Sequence, residues 1–203
     1  VARRPRRAPP PPASIAASYR GCAKVGIGPT EAASSRLYRG LTEAMTNVVH
    51  HAYPDELRSQ FPRLRNRWWL LGHVDKVERE LVIMFFDQGV GIPATLPLRH
   101  SEIIGGILAG LRLTEPNDGD LIRAAMRIRR SQTHEAHRGR GLNDFRAFID
   151  QCGKGSLRIV SRRGLYLYTP TDNETSRPLR SSLGGTLIEW KVPLKEISNW
   201  KGD

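Results

Sequence analysis

The sequence predicts an α+β fold in which helices cover a mainly antiparallel sheet. Three observations predict it. Residues 35–53 repeat apolar side chains at helical spacing, residues 81–86 form a continuous apolar run typical of a buried strand, and the pattern after residue 155 has period two. A chain of 203 residues is long enough for one domain with an appended arm.

The predicted helix over residues 35–53 also carries chemically capable side chains. Glu43, Asn47 and His51 follow one another at intervals of four, so they line one edge of the helix beside its apolar face. The carbonyl oxygen of an Asn side chain is a hard ligand for Mg²⁺, and a Glu can orient or deprotonate an attacking hydroxyl. A solvated polar edge is the alternative interpretation.

A predicted hairpin provides the second candidate motif. Residues 68–71 and 81–86 form its strands, and we expect helices to cover both faces of the second strand. That strand ends at Asp87, with Gly89 and Gly91 after it. Such a carboxylate can accept a hydrogen bond from a purine amino group, while glycines let the backbone approach a flat ligand. An ordinary glycine turn is the alternative.

The middle of the chain resembles an insertion or lid over residues 94–138, with helical patterns at residues 101–113 and 118–131. Gly139 and Gly141 then precede a further amphipathic helix. Free backbone amides at the start of a helix favour anions, so this loop is a candidate phosphate site.

Three antiparallel strands are predicted after residue 155, with residues 170–183 as a flexible surface loop between the second and the third. Thr186 lies at the start of the last strand, after Gly184 and Gly185. Its hydroxyl could share the recognition of a base with Asp87.

Composition limits the classes of partner. The formal net charge of +12 favours anionic partners, and residues 1–12 contain four arginines and five prolines, as expected of a solvated arm or a hook for nucleic acid. Two cysteines give no disulfide framework, so we expect a reducing, cytoplasmic location. The apolar runs are too short to span a membrane.

Taken together, the order of these motifs resembles the GHKL family of ATP-binding domains, which includes gyrase, mismatch-repair ATPases, a heat-shock chaperone ATPase and histidine kinases. The resemblance implies the Bergerat fold, a two-layer sandwich of helices over a mixed, mainly antiparallel sheet with a long ATP lid. It assigns residues 35–200 to the ATP-binding domain, residues 94–138 to the lid and residues 1–34 to an arm with a poorly defined lead-in.

Within that family, the stretch TEAMTNVVHHAY is most similar to the anti-sigma-factor serine kinases, where EAxTNxxxHAY is typical. By position, Glu43 would be the catalytic base and Asn47 the Mg²⁺ ligand, and Asp87 would accept from the adenine amino group. The other residues that the resemblance assigns to ATP binding are Gly89, Gly91, Gly139, Arg140, Gly141, Leu142 and Thr186.

The resemblance therefore implies an enzyme that binds Mg-ATP and transfers its γ-phosphoryl group to a protein serine or to water in a regulatory pathway. The alternative is a nucleotide-responsive module that binds ATP without turnover and grips a regulator or nucleic acid. A regulatory protein is the expected partner, nucleic acid could bind the basic arm, and the sequence leaves a homodimer open.

Overall fold

The computed structural model describes residues 31–57, 67–128 and 142–198. The elements in chain order are α1 (Glu31–Asn47), a π-helical turn (Val48–Ala52), a 3₁₀ turn (Asp55–Leu57), β1 (Trp68–Asp75), β2 (Glu80–Asp87), α2 (Ile92–Gly110), α3 (Asp118–Ile128), α4 (Asn143–Cys152), β3 (Ser156–Thr169), β4 (Asn173–Pro193) and α5 (Leu194–Ser198). The arm residues 1–30 and lid residues 129–138 lie outside the described residues.

The predicted central helix is present as α1 and the π-helical turn that continues it. It begins at Glu31, four residues before the predicted start, and its helical backbone ends at Ala52, before Pro54. Leu37, Leu41 and Val48 of the predicted apolar face are buried. This burial holds the helix against the sheet, and the polar edge of the helix lies beside the buried face.

The sheet has the strand order β1-β2-β4-β3, and every pair of neighbouring strands is antiparallel. The predicted hairpin is confirmed, since Trp68 pairs with Asp87 and Asp75 pairs with Glu80. The expectation of a mixed sheet is wrong for the described strands, because the part of the chain that the structure describes contains no parallel pair.

The predicted surface loop over residues 170–183 is wrong, because residues 173–183 belong to β4. The prediction of three strands after residue 155 is also wrong, because the first two form the single strand β3 and the third is the C-terminal part of β4. The two strands form one long hairpin, in which Thr169 pairs with Asn173 and Gly164 with Pro178. The polar composition misled the prediction. Residues 173–178 and Leu183 pair with β3, and Ser176 donates a hydrogen bond to Asp120 Oδ1 of α3 at 3.0 Å.

The main hydrophobic core lies between one face of the sheet and helices α1, α3 and α4. The strand residues of this core alternate along β2, β3 and β4, which places them on a single face. Met84 and Phe86, on the opposite face of β2, are half-buried. The expectation of helices over both faces of this strand is therefore not met by the described helices, and the architecture is compatible with two layers.

A smaller second core lies between α2 and α3, in the region predicted as the lid. Its buried residues are Leu96, Ile104, Ala124, Ala125 and Ile128. Helix α2 begins at Ile92, well before the predicted start at residue 101, and it is kinked at His100, where the backbone leaves helical geometry (φ −140°, ψ 32°). None of the helices within the described ranges is both long enough and apolar enough to cross a membrane.

Candidate functional site

A cavity of about 260 Å³ lies between the two cores. Ala44 and Phe145 of the main core line one side, and Leu96 and Ile128 of the smaller core line the other. A concave, mostly apolar space with a few polar groups is the usual form of a small-molecule site. Six of the residues that the sequence analysis assigns to catalysis or ATP binding also line it: Glu43, Asn47, Asp87, Gly91, Leu142 and Thr186.

Helix α1 and the turn after it supply one polar edge of the cavity. Glu43, Asn47 and His51 all line it, as their spacing of four predicts. Glu43 is buried, with 7% of its surface exposed. The amide nitrogen of Asn47 is buried and has no hydrogen-bond partner among the described residues. An unsatisfied buried donor costs about 1–3 kcal/mol, so a ligand in the cavity that accepted this bond would be favoured.

Asp87 supplies the second polar group, at the end of β2. It is 6% exposed, and its Oδ1 accepts a hydrogen bond from the Gly89 amide at 2.7 Å. Burial raises the pKa of the Asp87 carboxyl to about 6, and the bond from Gly89 opposes part of this rise. The carboxylate therefore predominates at pH 7. Because it is buried, water would compete little with a hydrogen-bond donor from a ligand.

Gly89 and Gly91 shape the backbone beside Asp87. A Cβ at Gly89 would lie 2.5 Å from the Ala52 carbonyl oxygen and 2.8 Å from Asp87 Oδ1. Gly91 has a positive φ of 88°, and a Cβ there would lie 2.8 Å from Ser161 Oγ. Both positions need glycine, because a side chain would separate the end of β2 from its neighbours.

Thr186 of β4 lies opposite Asp87 in the sheet. Its hydroxyl is 3.0 Å from Ser161 Oγ, which in turn accepts a hydrogen bond from the Ile92 amide at 2.9 Å. A Cβ at Gly185 would lie only 1.8 Å from the Asp87 carbonyl oxygen. Glycine at this position therefore allows the two strands to bring Thr186 and Asp87 to the same cavity.

The predicted phosphate loop is only partly described. Gly139, Arg140 and Gly141 lie outside the described residues, and Leu142 lines the cavity at the start of α4. The structure thus brings together the candidate groups for the base and the metal, while the glycine loop remains a prediction from the sequence.

The donor set of the cavity fits Mg²⁺ bound together with a polyphosphate. Asn47 offers an amide oxygen, which is a hard ligand, and the Glu43 carboxylate lines the same cavity as a candidate base. The described residues contain no group of three or more His, Cys, Asp or Glu side chains that could hold a metal. Mg²⁺ in nucleotide sites commonly uses one or two protein oxygens and completes its shell with phosphate oxygens and water, so the Asn47 oxygen is a sufficient protein ligand.

Ser161, which was not predicted as a site residue, links three parts of the site. It is completely buried, and its hydroxyl also donates to the Gly185 carbonyl oxygen at 3.2 Å. The sequence does indicate that Ser161 faces the core, since it continues the inward-facing alternation of Leu157 and Ile159. A polar residue at an inward position of a strand needs partners, and here those partners lie around the cavity.

Comparison with known proteins adds no family assignment. The chain matches none of the protein-family models against which it was scanned, and no curated protein matches its sequence.

Proposed function

We propose that this chain is a Mg-ATP-binding domain of the Bergerat type that transfers the γ-phosphoryl group of ATP to a protein serine or to water. One observation carries the proposal. Glu43 and Asn47 on a helix, and Asp87 and Thr186 on adjacent strands, line one cavity although more than 140 residues separate the first from the last.

The chemistry of each group fits its proposed role. Asp87 would accept a hydrogen bond from the adenine amino group, with Thr186 beside it, and the apolar walls would cover the faces of the base. Asn47 would hold Mg²⁺, which supplies charge neutralisation to the phosphates. Glu43 would orient the attacking hydroxyl or water and accept its proton.

Turnover by the wild type and by Glu43→Gln tests the proposal, with ATP affinity measured in parallel by calorimetry. We expect the substitution to lower the rate of ADP release by about a hundredfold or more, since general bases typically contribute 10²–10⁴-fold. ATP affinity should change little. Glu78→Gln is the matched control, because Glu78 is exposed in the turn between β1 and β2.

The outcomes separate the alternatives. Binding without turnover in both wild type and Glu43→Gln would replace the enzyme with a nucleotide-responsive binding module. Failure of the wild type to bind ATP at millimolar concentration, with or without Mg²⁺, would reject the proposed function altogether.

A further inference from the structure

A second polar cluster lies outside the cavity, around Glu174 of β4. Its Oε1 accepts hydrogen bonds from Arg123 Nε at 3.0 Å and from Arg127 Nε at 2.9 Å. Its Oε2 accepts from Arg146 Nη2 and, at 3.2 Å, from the Tyr166 hydroxyl. We call Glu174 with these three arginines the Glu174 clamp. Its carboxylate is 10% exposed, so the charges interact with little screening by water.

The clamp joins two helices that line the cavity from its two sides. Arg123 and Arg127 belong to α3, whose Ala125 and Ile128 line the cavity. Arg146 belongs to α4, directly after Phe145, which also lines it. Glu174 itself does not line the cavity. One carboxylate therefore ties together, from outside, two helices whose other faces meet the proposed ligand.

Charge makes this link strong. Burial would raise the pKa of Glu174, but hydrogen bonds and charge from the three guanidinium groups lower it to about 2. The side chain is therefore ionised throughout the neutral range. Without its negative charge, the three guanidinium groups would repel one another across the junction of α3 and α4.

Two tyrosines of β3 contact Arg146, the third arginine of the clamp. The Arg146 guanidinium carbon lies 4.5 Å from the centroid of the Tyr168 ring and 5.5 Å from that of Tyr166. Arg146 Nη2 also donates to the Tyr166 hydroxyl. These contacts place Arg146 on β3, so the clamp connects α4 to the sheet as well as to α3.

We propose that Glu174 is a positioning residue for the nucleotide site: it sets the spacing of α3 and α4, and through them the width of the cavity, without touching the ligand. This inference rests on the proposed function. It predicts that neutralising Glu174 weakens ATP binding because Ala125, Ile128 and Phe145 are displaced.

The test measures ATP affinity by calorimetry and amide hydrogen exchange in the ligand-free protein. For Glu174→Gln we expect about tenfold weaker ATP binding, together with faster exchange at the C-terminal end of α3 and the start of α4. Exchange in β2 should stay as in the wild type. Glu174→Asp, which keeps the charge, should recover part of the affinity.

Glu189→Gln is the matched control. Glu189 is also a buried glutamate of β4, with 7% of its side chain exposed, but it pairs with Arg158 at 3.4 Å on the face of the sheet away from the cavity. Its substitution should leave ATP affinity within about twofold of the wild type. If Glu174→Gln does not fold, Arg127→Gln removes one arm of the clamp and should weaken ATP binding and loosen α3 to a smaller degree.

Three results would overturn the inference. Wild-type affinity in Glu174→Gln would reject the clamp while leaving the proposed function intact. An equal loss in Glu189→Gln would show that general destabilisation is the cause. Absence of ATP binding by the wild type would instead reject the proposed function, and the inference with it.

Discussion

Asp87 is a buried ionisable residue, and its pKa of about 6 makes the proposed site sensitive to pH. As pH falls through about 6, the carboxylate becomes protonated and a poorer acceptor for an adenine amino group. We therefore expect ATP affinity to decrease below pH 6, with a loss of about tenfold or more once Asp87 is neutral, as for a hydrogen bond to a charged group. Calorimetric titration with ATP between pH 5 and 8 measures this.

The variant Asp87→Asn separates this effect from other titrations. It should bind ATP weakly at every pH and lose the step near pH 6. The pH dependence of wild-type stability gives an independent check, because the pKa of Asp87 in the folded protein lies above its ordinary value of 3.8. The contribution of Asp87 to stability is then complete below about pH 3.8 and is lost as pH rises through 6. A wild-type affinity that stays constant from pH 8 to pH 5 would contradict the assigned role.

The residues of the proposed site that have a distinctive chemistry could be predicted from the sequence. Glu43 and Asn47 were found because a spacing of four on an amphipathic helix fixes their common edge, and Asp87 because an acid abruptly ended an apolar run. Ser161 could not be assigned to the site, since its partners at Ile92 and Gly185 come from distant parts of the chain. Only the folded sheet brings those backbone groups together.

At the scale of elements, the close contact between the end of β2 and the π-helical turn depends on Gly89. The Val90 amide donates to the Ala52 carbonyl oxygen at 2.9 Å, and a Cβ at Gly89 would collide with that same oxygen. We expect Gly89→Ala to destabilise the protein by about 1–3 kcal/mol through overpacking and to weaken ATP binding. Chemical denaturation with and without ATP measures both.

Gly106→Ala is the control for this substitution. Gly106 is exposed within α2, and among the described residues no atom outside its own helix lies within 4 Å of the position of a Cβ. Alanine there should stabilise the protein by about 0.5–1 kcal/mol, because it favours the helix. If both variants behaved alike, the close approach at Gly89 would have no energetic role.

The start of α2 is anchored to the sheet by Ser161, whose hydroxyl accepts the bond from the Ile92 amide. Ser161→Ala would leave that amide and the Gly185 carbonyl oxygen without this partner, so we expect a loss of about 1–3 kcal/mol in the free energy of unfolding. Ser182→Ala, at an exposed position of β4, should change it by less than about 0.5 kcal/mol. Similar losses in the two variants would argue against an anchoring role for Ser161.

The elements themselves were predictable where local pattern and tertiary structure agree. The apolar run before Asp87 indicated β2 because burial demands it. Residues 173–183 were misassigned because their polar, proline-containing sequence is typical of a loop. Their strand conformation comes from pairing with β3 and from Glu174 and Ser176, which contact α3, and no local signal reports such contacts.

For the whole molecule, the important feature is that the cavity lies between two hydrophobic cores. Ile92 and Leu142 pack against both cores and also line the cavity. A ligand bound there would contact the sheet and α1 on one side and the α2–α3 pair on the other. Binding would therefore stabilise the arrangement of the two cores as well as occupy the space between them.

A crystal structure of the protein with Mg²⁺ and a non-hydrolysable ATP analogue tests the central claim most directly. We predict the adenine amino group within hydrogen-bond distance of Asp87, and Mg²⁺ coordinated by the side-chain oxygen of Asn47 and by phosphate oxygens. A nucleotide bound elsewhere, or a base in this cavity with its amino group turned away from Asp87, would contradict the account.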